Sequence, residues 1–305
     1  MPLHTDYRPS KLNDFFGNDS EIEKLDSMLD RPIEKIVHSF MFKGPKGCGK
    51  TTLARIVAKD LGCHDTDITE LDIATNRGID AAKELRSSVS FAPLSGSVKC
   101  YILDEVHMGT KEFFNGLLKT LEEPPNHVYF MLCTTEPEKV LVTVKSRCAV
   151  YTVDKLDREQ MVEFLSWILE KEDVTLSKEV LTKISKASEG TPREALIMLD
   201  QVINLDQTKI NEYLETAQTQ EKQVNELCQS LLKQQSWKIV SKIINSLKEE
   251  PETIRRAVIG YMAAVALNNS NPSLAVQIID EFSTPFYDTG KAGLVKACFM
   301  SNPKV

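Results

Sequence analysis

Residues 44–51 have the types and spacing of a phosphate-binding loop. They read Gly-Pro-Lys-Gly-Cys-Gly-Lys-Thr, a complete match to G-x-x-x-x-G-K-[ST]. An apolar run at 39–42 precedes the loop, and apolar residues at helical spacing follow it over 51–61. A glycine-rich turn that enters a helix points backbone N–H groups at one spot, where the helix dipole favours an anion. The segment therefore predicts a nucleoside triphosphate site.

Two side chains of the loop have specific roles in such a site. We expect the Lys50 ammonium to reach the β- and γ-phosphates, which also makes it a catalytic candidate. We expect the Thr51 hydroxyl to bind Mg²⁺. The other nucleotide-binding candidates in and beside the loop are Gly44, Pro45, Lys46, Gly47, Cys48, Gly49 and Thr52.

An apolar run that ends in two acids supplies the second part of the site. Residues 98–103 are followed by Asp104 and Glu105. An acid at a strand tip can hold Mg²⁺ while its neighbour orients the attacking water. We assign Asp104 to the metal and Glu105 to the water, which predicts hydrolysis rather than storage of nucleotide. Taken alone, the pair is equally well explained as a solvated strand end.

Polar residues also follow the apolar run at 128–133, at the end of another predicted strand. The hydroxyls of Thr134 and Thr135 are candidates for contact with the γ-phosphate or the nucleophilic water, so we place both in the catalytic set. For these residues by themselves, a polar turn before Pro137 is the simpler interpretation.

The elements that must position these residues alternate between strand and helix. Apolar runs predict strands at 39–43, 70–73, 98–103, 128–133 and 149–153. Helical spacing predicts helices at about 19–30, 50–61, 78–90 and 110–122. This alternation predicts an α/β domain with a five-stranded, mostly parallel sheet covered by helices.

After residue 153 the strand signals stop, and only helical patterns follow. They occupy 157–170, 178–187 and 192–205, and further helices follow a polar, Gln-rich stretch at about 207–223 that is typical of a hinge. We therefore predict three domains: an α/β domain at 1–153, a small helical domain at 154–213 and an all-α domain at 214–305.

The composition is that of a soluble globular protein, with 42% hydrophobic and 27% charged residues among 305. We expect no membrane span, because no apolar stretch reaches about 18 residues, and no signal peptide, because the first residues lack its pattern. The seven cysteines are scattered without a C-x-x-C pair, which favours a reduced, cytoplasmic protein without zinc. The net charge of −7 means that any nucleic-acid contact needs a local basic patch or several subunits around one channel.

Several segments resemble the ATPase subunits of replicative clamp loaders, within the AAA+ class, and the bacterial gamma/tau subunit most of all. Besides the phosphate loop they are Tyr7-Arg8-Pro9, Phe16-Gly17, the run from Asp104 to Met108, the run from Leu117 to Pro125, the run from Thr134 to Pro137, Ser146-Arg147-Cys148 and the run from Glu189 to Leu196. They cover residues 5 to about 205 in family order and spacing. The resemblance implies an AAA+ P-loop domain, followed by a helical lid at 154–213 and a helical collar at 214–305.

The resemblance gives Arg147 a role outside its own subunit. It implies that this arginine projects into the neighbouring subunit's ATP site, where such a finger neutralises transition-state charge. A solvated arginine in a connector is the ordinary interpretation of the isolated tripeptide.

Two further nucleotide contacts are implied by the resemblance. Arg193 would reach from the lid onto the γ-phosphate, and the segment Tyr7-Arg8-Pro9 would pack beside the adenine. Read locally, residues 191–194 form a capping box with Thr191 as the N-cap and Glu194 reaching back, which leaves Arg193 unexplained.

Basic residues near two helix starts are the DNA-binding candidates. In the family these helix N-termini face a central channel and follow the duplex backbone, and such contacts to phosphates carry no sequence information. The candidates are Arg77, Lys83, Arg86, Thr110 and Lys111. A solvated helix face is the alternative for each of them.

Two departures from the bacterial subunit suggest a compact bacteriophage or bacterial version. The family's four-cysteine zinc module is replaced by residues 62–69, with Cys63 as the sole cysteine, so we expect no zinc. We also expect no long C-terminal extension.

The resemblance implies an ATPase that uses ATP and Mg²⁺, is stimulated by DNA and clamp, and works within a DNA polymerase holoenzyme. Such a subunit opens the sliding clamp and places it on primer–template DNA, with other clamp-loader subunits in a pentameric arc. One alternative is another AAA+ DNA-remodelling ATPase, such as a branch-migration helicase, which should lack the segments at 146–148 and 117–125 together. The other is a scaffold that ATP stabilises without being hydrolysed.

Overall fold

The computed structural model describes residues 2–205, 209–210, 223–247, 249–268 and 272–302. The chain divides into two compact units, 1–205 and 206–305. All the residues predicted to bind nucleotide, metal or DNA lie in the first unit.

The first unit is built on a five-stranded sheet in which every neighbouring pair is parallel, with the order β2-β3-β4-β1-β5. The strands are β1 (Ser39–Lys43), β2 (Ile68–Asp72), β3 (Lys99–Asp104), β4 (Val128–Thr134) and β5 (Ala149–Thr152). The prediction of a mostly parallel α/β sheet is confirmed, with strand ends shifted by at most two residues. Strand β4 is buried along its whole length, as expected of a central strand covered on both faces.

Helices cover both faces of the sheet because alternate strand residues point to opposite sides. Phe40 and Phe42 of β1 share one core with Leu53 of the helix after the phosphate loop. Met41, between them, joins the other core with Phe113. The helices of the α/β part are α1 (Leu3–Asp6), α2 (Asp19–Leu29), α3 (Lys50–Asp60), α4 (Ile79–Val89), α5 (Lys111–Glu122) and α6 (Val142–Lys145).

Three helices follow the sheet within the first unit. They are α7 (Arg158–Lys171), α8 (Lys178–Ala187) and α9 (Pro192–Val202). The N-terminal segment packs on α7, since Tyr7 meets Trp167 edge-on with ring centroids 5.9 Å apart and Phe16 lies 5.1 Å from Phe164. The segment that precedes the sheet in sequence therefore packs against a helix that follows it.

The described part of the second unit is entirely helical. Its helices are α10 (223–232), α11 (Trp237–Ser246), α12 (Pro251–Asn268), α13 (Ser273–Glu281) and α14 (Gly290–Met300). One core joins them, with Leu231, Val258 and Ile278 fully buried. The predicted hinge at about 207–223 and the predicted boundary at 213/214 fall almost entirely outside the described residues.

None of the helices described here is long and apolar enough to cross a membrane.

Candidate nucleotide site

The strand order brings the predicted site residues to one edge of the sheet. Strand β4 lies between β1 and β3, and its last residue, Thr134, pairs with Lys43 at the end of β1. The phosphate loop leaves β1 at this edge, and Asp104 ends β3 beside it. Ligands of open parallel sheets bind outside the carboxyl ends of the strands, so this edge is the expected place for a site.

Positive backbone φ angles at glycines shape the phosphate loop. Gly47 has φ 78° and Gly49 has φ 106°, which side-chain-bearing residues rarely adopt. A Cβ on Gly47 would lie 2.7 Å from Thr191 Cγ2, and one on Gly49 would lie 2.8 Å from the Phe15 ring. Helix α3 begins at the next residue, so the loop presents N–H groups at a helix N-terminus.

Lys50, Thr51 and Asp104 converge around this loop. The Lys50 side chain is buried and its Nζ donates to the Pro45 carbonyl at 2.8 Å. Thr51 Oγ1 donates to Asp104 Oδ2 at 2.8 Å, across the end of β4. A hydroxyl and a carboxylate are the hard oxygen ligands that Mg²⁺ takes together with substrate phosphates. The donor set therefore fits a magnesium–triphosphate complex.

The thiol of Cys48, inside the loop, adds no charge there. Burial raises its pKa, with smaller opposing effects from Lys50 and Lys155. The thiol is therefore neutral at ordinary pH, and it does not offset the positive charge of Lys50 at the loop.

A cavity of about 210 Å³ lies beside the loop. The segment Tyr7-Arg8-Pro9 and Arg193 of α9 line it together with residues 46–52 and the acids 104–105. The structure thus brings together most of the predicted nucleotide contacts, although Gly44 and Pro45 lie outside the lining.

An apolar wall of the cavity was not predicted from the sequence. It consists of Phe15, Phe16, Leu156, Phe164, Pro192 and Leu196. Such a wall suits a flat, weakly polar group such as a nucleobase. These residues come from the N-terminal segment, the connector after β5 and the helices behind it, so only their folding together could reveal them.

The start of α9 differs from the prediction in one respect. Thr191 occupies the N-cap position and Pro192 begins the helix, but the Thr191 side chain makes no capping hydrogen bond, so the predicted capping box is wrong. Its methyl group instead packs against Gly47, and Arg193 N donates to the Gly47 carbonyl at 3.5 Å. The helix start is thereby held against the phosphate loop.

Glu105 and the two threonines occupy different positions at the tips of β3 and β4. Thr135 Oγ1 donates to Glu105 Oε2 at 3.2 Å. Thr134 is fully buried, and its Oγ1 accepts from the Glu136 N–H at 3.0 Å. The polar-turn interpretation therefore fits Thr134, whereas Thr135 contacts the acid.

Arg147 does not reach the cavity of its own chain. It follows α6, and its guanidinium donates to the Thr143 carbonyl and forms an ion pair with Glu122. The side chains of Arg147 and Glu122 are partly exposed, at 29% and 46% respectively. The arginine thus lies at a partly exposed surface, paired with Glu122 and outside the lining of the nucleotide cavity.

The two helix starts proposed to meet DNA lie side by side. Thr110 N donates to the Arg77 carbonyl at 3.0 Å, which joins the residues just before α4 and α5. The Thr110 side chain also caps α5 by accepting from Phe113 N at 3.2 Å. The hydroxyl therefore has a structural role whatever else it contacts.

The remaining basic candidates are exposed but not equally placed. Lys83 pairs with Asp80 at 3.0 Å, and Lys111 is the first residue of α5. Arg86 lies in the last turn of α4, away from the helix start. Acidic Asp80 and Glu112 share this region, so its charge is mixed.

Across the described residues, no group of three or more His, Cys, Asp or Glu side chains could hold a metal ion.

Sequence comparisons identify relatives of the chain. Residues 67–157 match the family model for the delta subunit of DNA polymerase III. The gamma/tau subunit of DNA polymerase III from Mycobacterium bovis is 36% identical over 226 residues, covering 67% of this chain and 39% of that protein. The tau subunit from Bacillus subtilis is 32% identical over 302 residues, covering 89% of this chain and 53% of that protein. The chain therefore spans about half or less of these relatives.

Among solved structures, the Holliday junction branch migration motor RuvB of Thermotoga maritima is similar in fold. Its TM-score is 0.57 at 22% identity, covering 69% of this chain and 72% of that chain. At this identity the likeness shows the fold alone, and it supports the α/β fold around the sheet.

Proposed function

We propose that this chain, a relative of the DNA polymerase III gamma/tau subunits, is an ATP-hydrolysing subunit of a sliding-clamp loader. One observation carries the proposal: the phosphate loop, Thr51, Asp104 and Glu105 meet at one sheet edge, while Arg147 lies outside the cavity they form. A complete phosphate site with its arginine facing elsewhere is suited to hydrolysis between subunits.

The residues around the phosphate loop have separate roles in ATP hydrolysis. The loop N–H groups and Lys50 bind the phosphates, and Thr51 with Asp104 hold Mg²⁺, which neutralises phosphate charge when bound. Glu105 orients the attacking water and takes up its proton. Arg193 contacts the γ-phosphate from α9, and the segment 7–9 lies beside the base.

Arg147 completes the site of a neighbouring subunit in this proposal. A guanidinium placed against the γ-phosphate stabilises the transition state and contributes about 10³–10⁵ in rate. Primer–template DNA entering the arc of subunits would align this arginine with the neighbour's ATP, and hydrolysis would then release the closed clamp.

The three-domain division belongs to the same proposal. We assign 1–153 to the AAA+ domain, 154–213 to a lid that carries Arg193, and 214–305 to a collar that joins the subunits of a pentameric arc in the cytoplasm. The helical content of the second unit supports a collar, and the contact of Arg193 with Gly47 supports a nucleotide-sensing lid. Arg77, Lys83, Arg86, Thr110 and Lys111 would follow the DNA backbone.

The test is the ATPase rate of the assembled complex with and without clamp and primed DNA. We expect stimulation by the two together. A rate that clamp and primed DNA leave unchanged would contradict the clamp-loader assignment and favour another AAA+ ATPase.

Glu105→Gln separates hydrolysis from assembly. We expect normal ATP binding, a hydrolysis rate lower by about 10²-fold or more, and no catalytic loading. A Glu105→Gln complex that still loads clamps repeatedly would favour the scaffold alternative.

A further inference from the structure

The buried side chain of His107 connects Glu105 to the turn after β4. His107 lies in a short 3₁₀ turn, Val106–Met108, and only 5% of its side chain is exposed. Its Nδ1 lies 3.4 Å from Glu105 Oε2 and 3.1 Å from Thr134 Oγ1, and its Nε2 lies 3.1 Å from Glu136 Oε1. The two ring nitrogens thus contact three polar side chains, and each nitrogen faces a carboxylate.

Glu105 needs such support because of its position. Its backbone has φ 47°, and one third of its side chain is exposed. A long acidic side chain in such a place loses rotamer freedom only if neighbouring groups restrain it. Thr135 and His107 both contact the same oxygen, Oε2, which leaves Oε1 for another partner.

The far side of the imidazole is also fixed. Glu136 faces Nε2 and pairs with Lys139 at 2.6 Å. The pKa of Glu136 is lowered, first by Lys139 and to a smaller extent by His107, so Glu136 is a carboxylate at neutral pH. A carboxylate on one ring nitrogen sets the orientation of the other.

We propose that His107 is a positioning residue for hydrolysis, which holds the Glu105 carboxylate through Nδ1 while Glu136 fixes the ring through Nε2. The inference rests on the proposed role of Glu105. It predicts that the Nδ1 contact matters for the rate of the chemical step and that the Nε2 contact matters less. Binding of ATP should be unaffected, because His107 does not line the cavity.

Three substitutions at one position separate the two nitrogens. His107→Asn places an amide near Nδ1, His107→Gln places one near Nε2, and His107→Ala removes both. In the complete complex with clamp and primed DNA, we expect His107→Ala to lower kcat about 10–100-fold with the KM for ATP nearly unchanged. We expect Asn to restore most of the rate and Gln to restore little.

His38→Ala is the matched control. His38 is also a partly buried histidine, stacked on Tyr129 with Nδ1 2.8 Å from the Val128 carbonyl, but it precedes β1 at the opposite edge of the sheet. Its loss should lower thermal stability and leave kcat unchanged. The near-isosteric Asn and Gln variants keep the test valid if His107→Ala folds poorly.

Equal rates for the Asn and Gln variants, or a normal kcat in His107→Ala, would overturn the positioning role. Glu105→Gln, measured beside the His107 variants, separates failure of the proposed function from failure of the role of His107. If Glu105→Gln hydrolyses normally, the proposed function itself fails. If it is inactive while all three His107 variants are normal, only the role of His107 fails.

Discussion

Glu105 is one of five residues other than glycine whose backbone is left-handed in the described chain. Such a conformation is uncommon for a side-chain-bearing residue and costs of order 1 kcal/mol, and it is frequent at functional sites. Here it turns the chain sharply after Asp104, whose Oδ1 accepts from the Glu105 N–H at 2.9 Å. The turn allows two adjacent acids to serve different purposes, one beside Thr51 and the other beside Thr135.

The adjacent threonines of the phosphate loop provide a matched pair for the metal site. Thr51→Ala should weaken ATP binding about 10–100-fold when Mg²⁺ is present, because a ligand hydroxyl is lost. Binding measured in EDTA should change little. Thr52→Ala, which removes a hydroxyl with no assigned metal role, should leave the Mg²⁺ dependence intact. Equal losses in both variants would contradict the assignment of Thr51.

At the scale of elements, helix ends position much of this molecule. Helix α7 begins with a true capping box, in which Asp157 Oδ1 accepts from Gln160 N at 2.8 Å and Gln160 Oε1 accepts from Asp157 N at 3.1 Å. Helix α9 lacks such a cap, since the Thr191 side chain packs on the phosphate loop. The start of α7 therefore stabilises its helix, whereas the start of α9 lies at the nucleotide cavity.

Asp157→Ala should lower the free energy of unfolding by about 1 kcal/mol, because the first turn of α7 loses its cap. Urea denaturation followed by circular dichroism measures the change. Glu163→Ala, an exposed substitution in the middle of the same helix, should change stability by less than half as much. A larger loss in the control would show that the capping contact is not the cause.

Helix α12 of the second unit carries a carboxylate whose charge stabilises the fold. The pKa of Glu252 is lowered from 4.5 to about 2, first by the hydrogen bonds from Arg255 and further by the N–H of Phe286 and by Arg256. A lowered folded-state pKa gives stability that is present above the unfolded value and is lost as pH falls towards the folded one.

Between about pH 5 and about pH 3, unfolding free energy should therefore fall more in the wild type than in Glu252→Gln. Urea titrations at both pH values test this. Parallel losses in the two proteins would mean that other carboxylates account for the acid sensitivity.

At the scale of the whole molecule, the candidate chemistry is confined to the first unit, and the described part of the second is a helical bundle. Within the first unit the nucleotide cavity is walled by segments from both ends of the sequence of that unit. Filling the cavity should therefore order the N-terminal segment and the start of α9 together.

Hydrogen exchange with and without ATP tests that expectation. ATP at about 100 times its Kd stabilises the binding-competent fold by about 2.7 kcal/mol. We expect slower exchange at residues 44–52, 3–16 and 191–196, and unchanged exchange in Pro251–Asn268. Lys50→Ala should abolish the protection. Protection limited to the phosphate loop would contradict the apolar wall as the base site.

Much of the fold was predictable because the signals are local. Strand ends lie within two residues of their predicted positions, and the ends of the seven helices predicted in the first unit lie within three, since apolar periodicity and glycine turns are properties of short segments. The four-residue helices α1 and α6 were not predicted. The prediction at Thr191 was wrong because its side chain found a tertiary partner in Gly47. The sequence pattern around Thr191 carries no information about a contact with Gly47, which lies far away in the chain.

The sequence by itself determined the phosphate loop, the acids after β3 and the alternation of strands and helices, because spacing and periodicity encode them directly. Only the tertiary structure decided the strand order, which inserts β4 between β1 and β3 and brings Thr51 to Asp104. It also placed Arg147 outside the cavity and His107 against Glu105. These arrangements depend on which distant segments pack together, and packing is decided by the whole chain rather than by any local pattern.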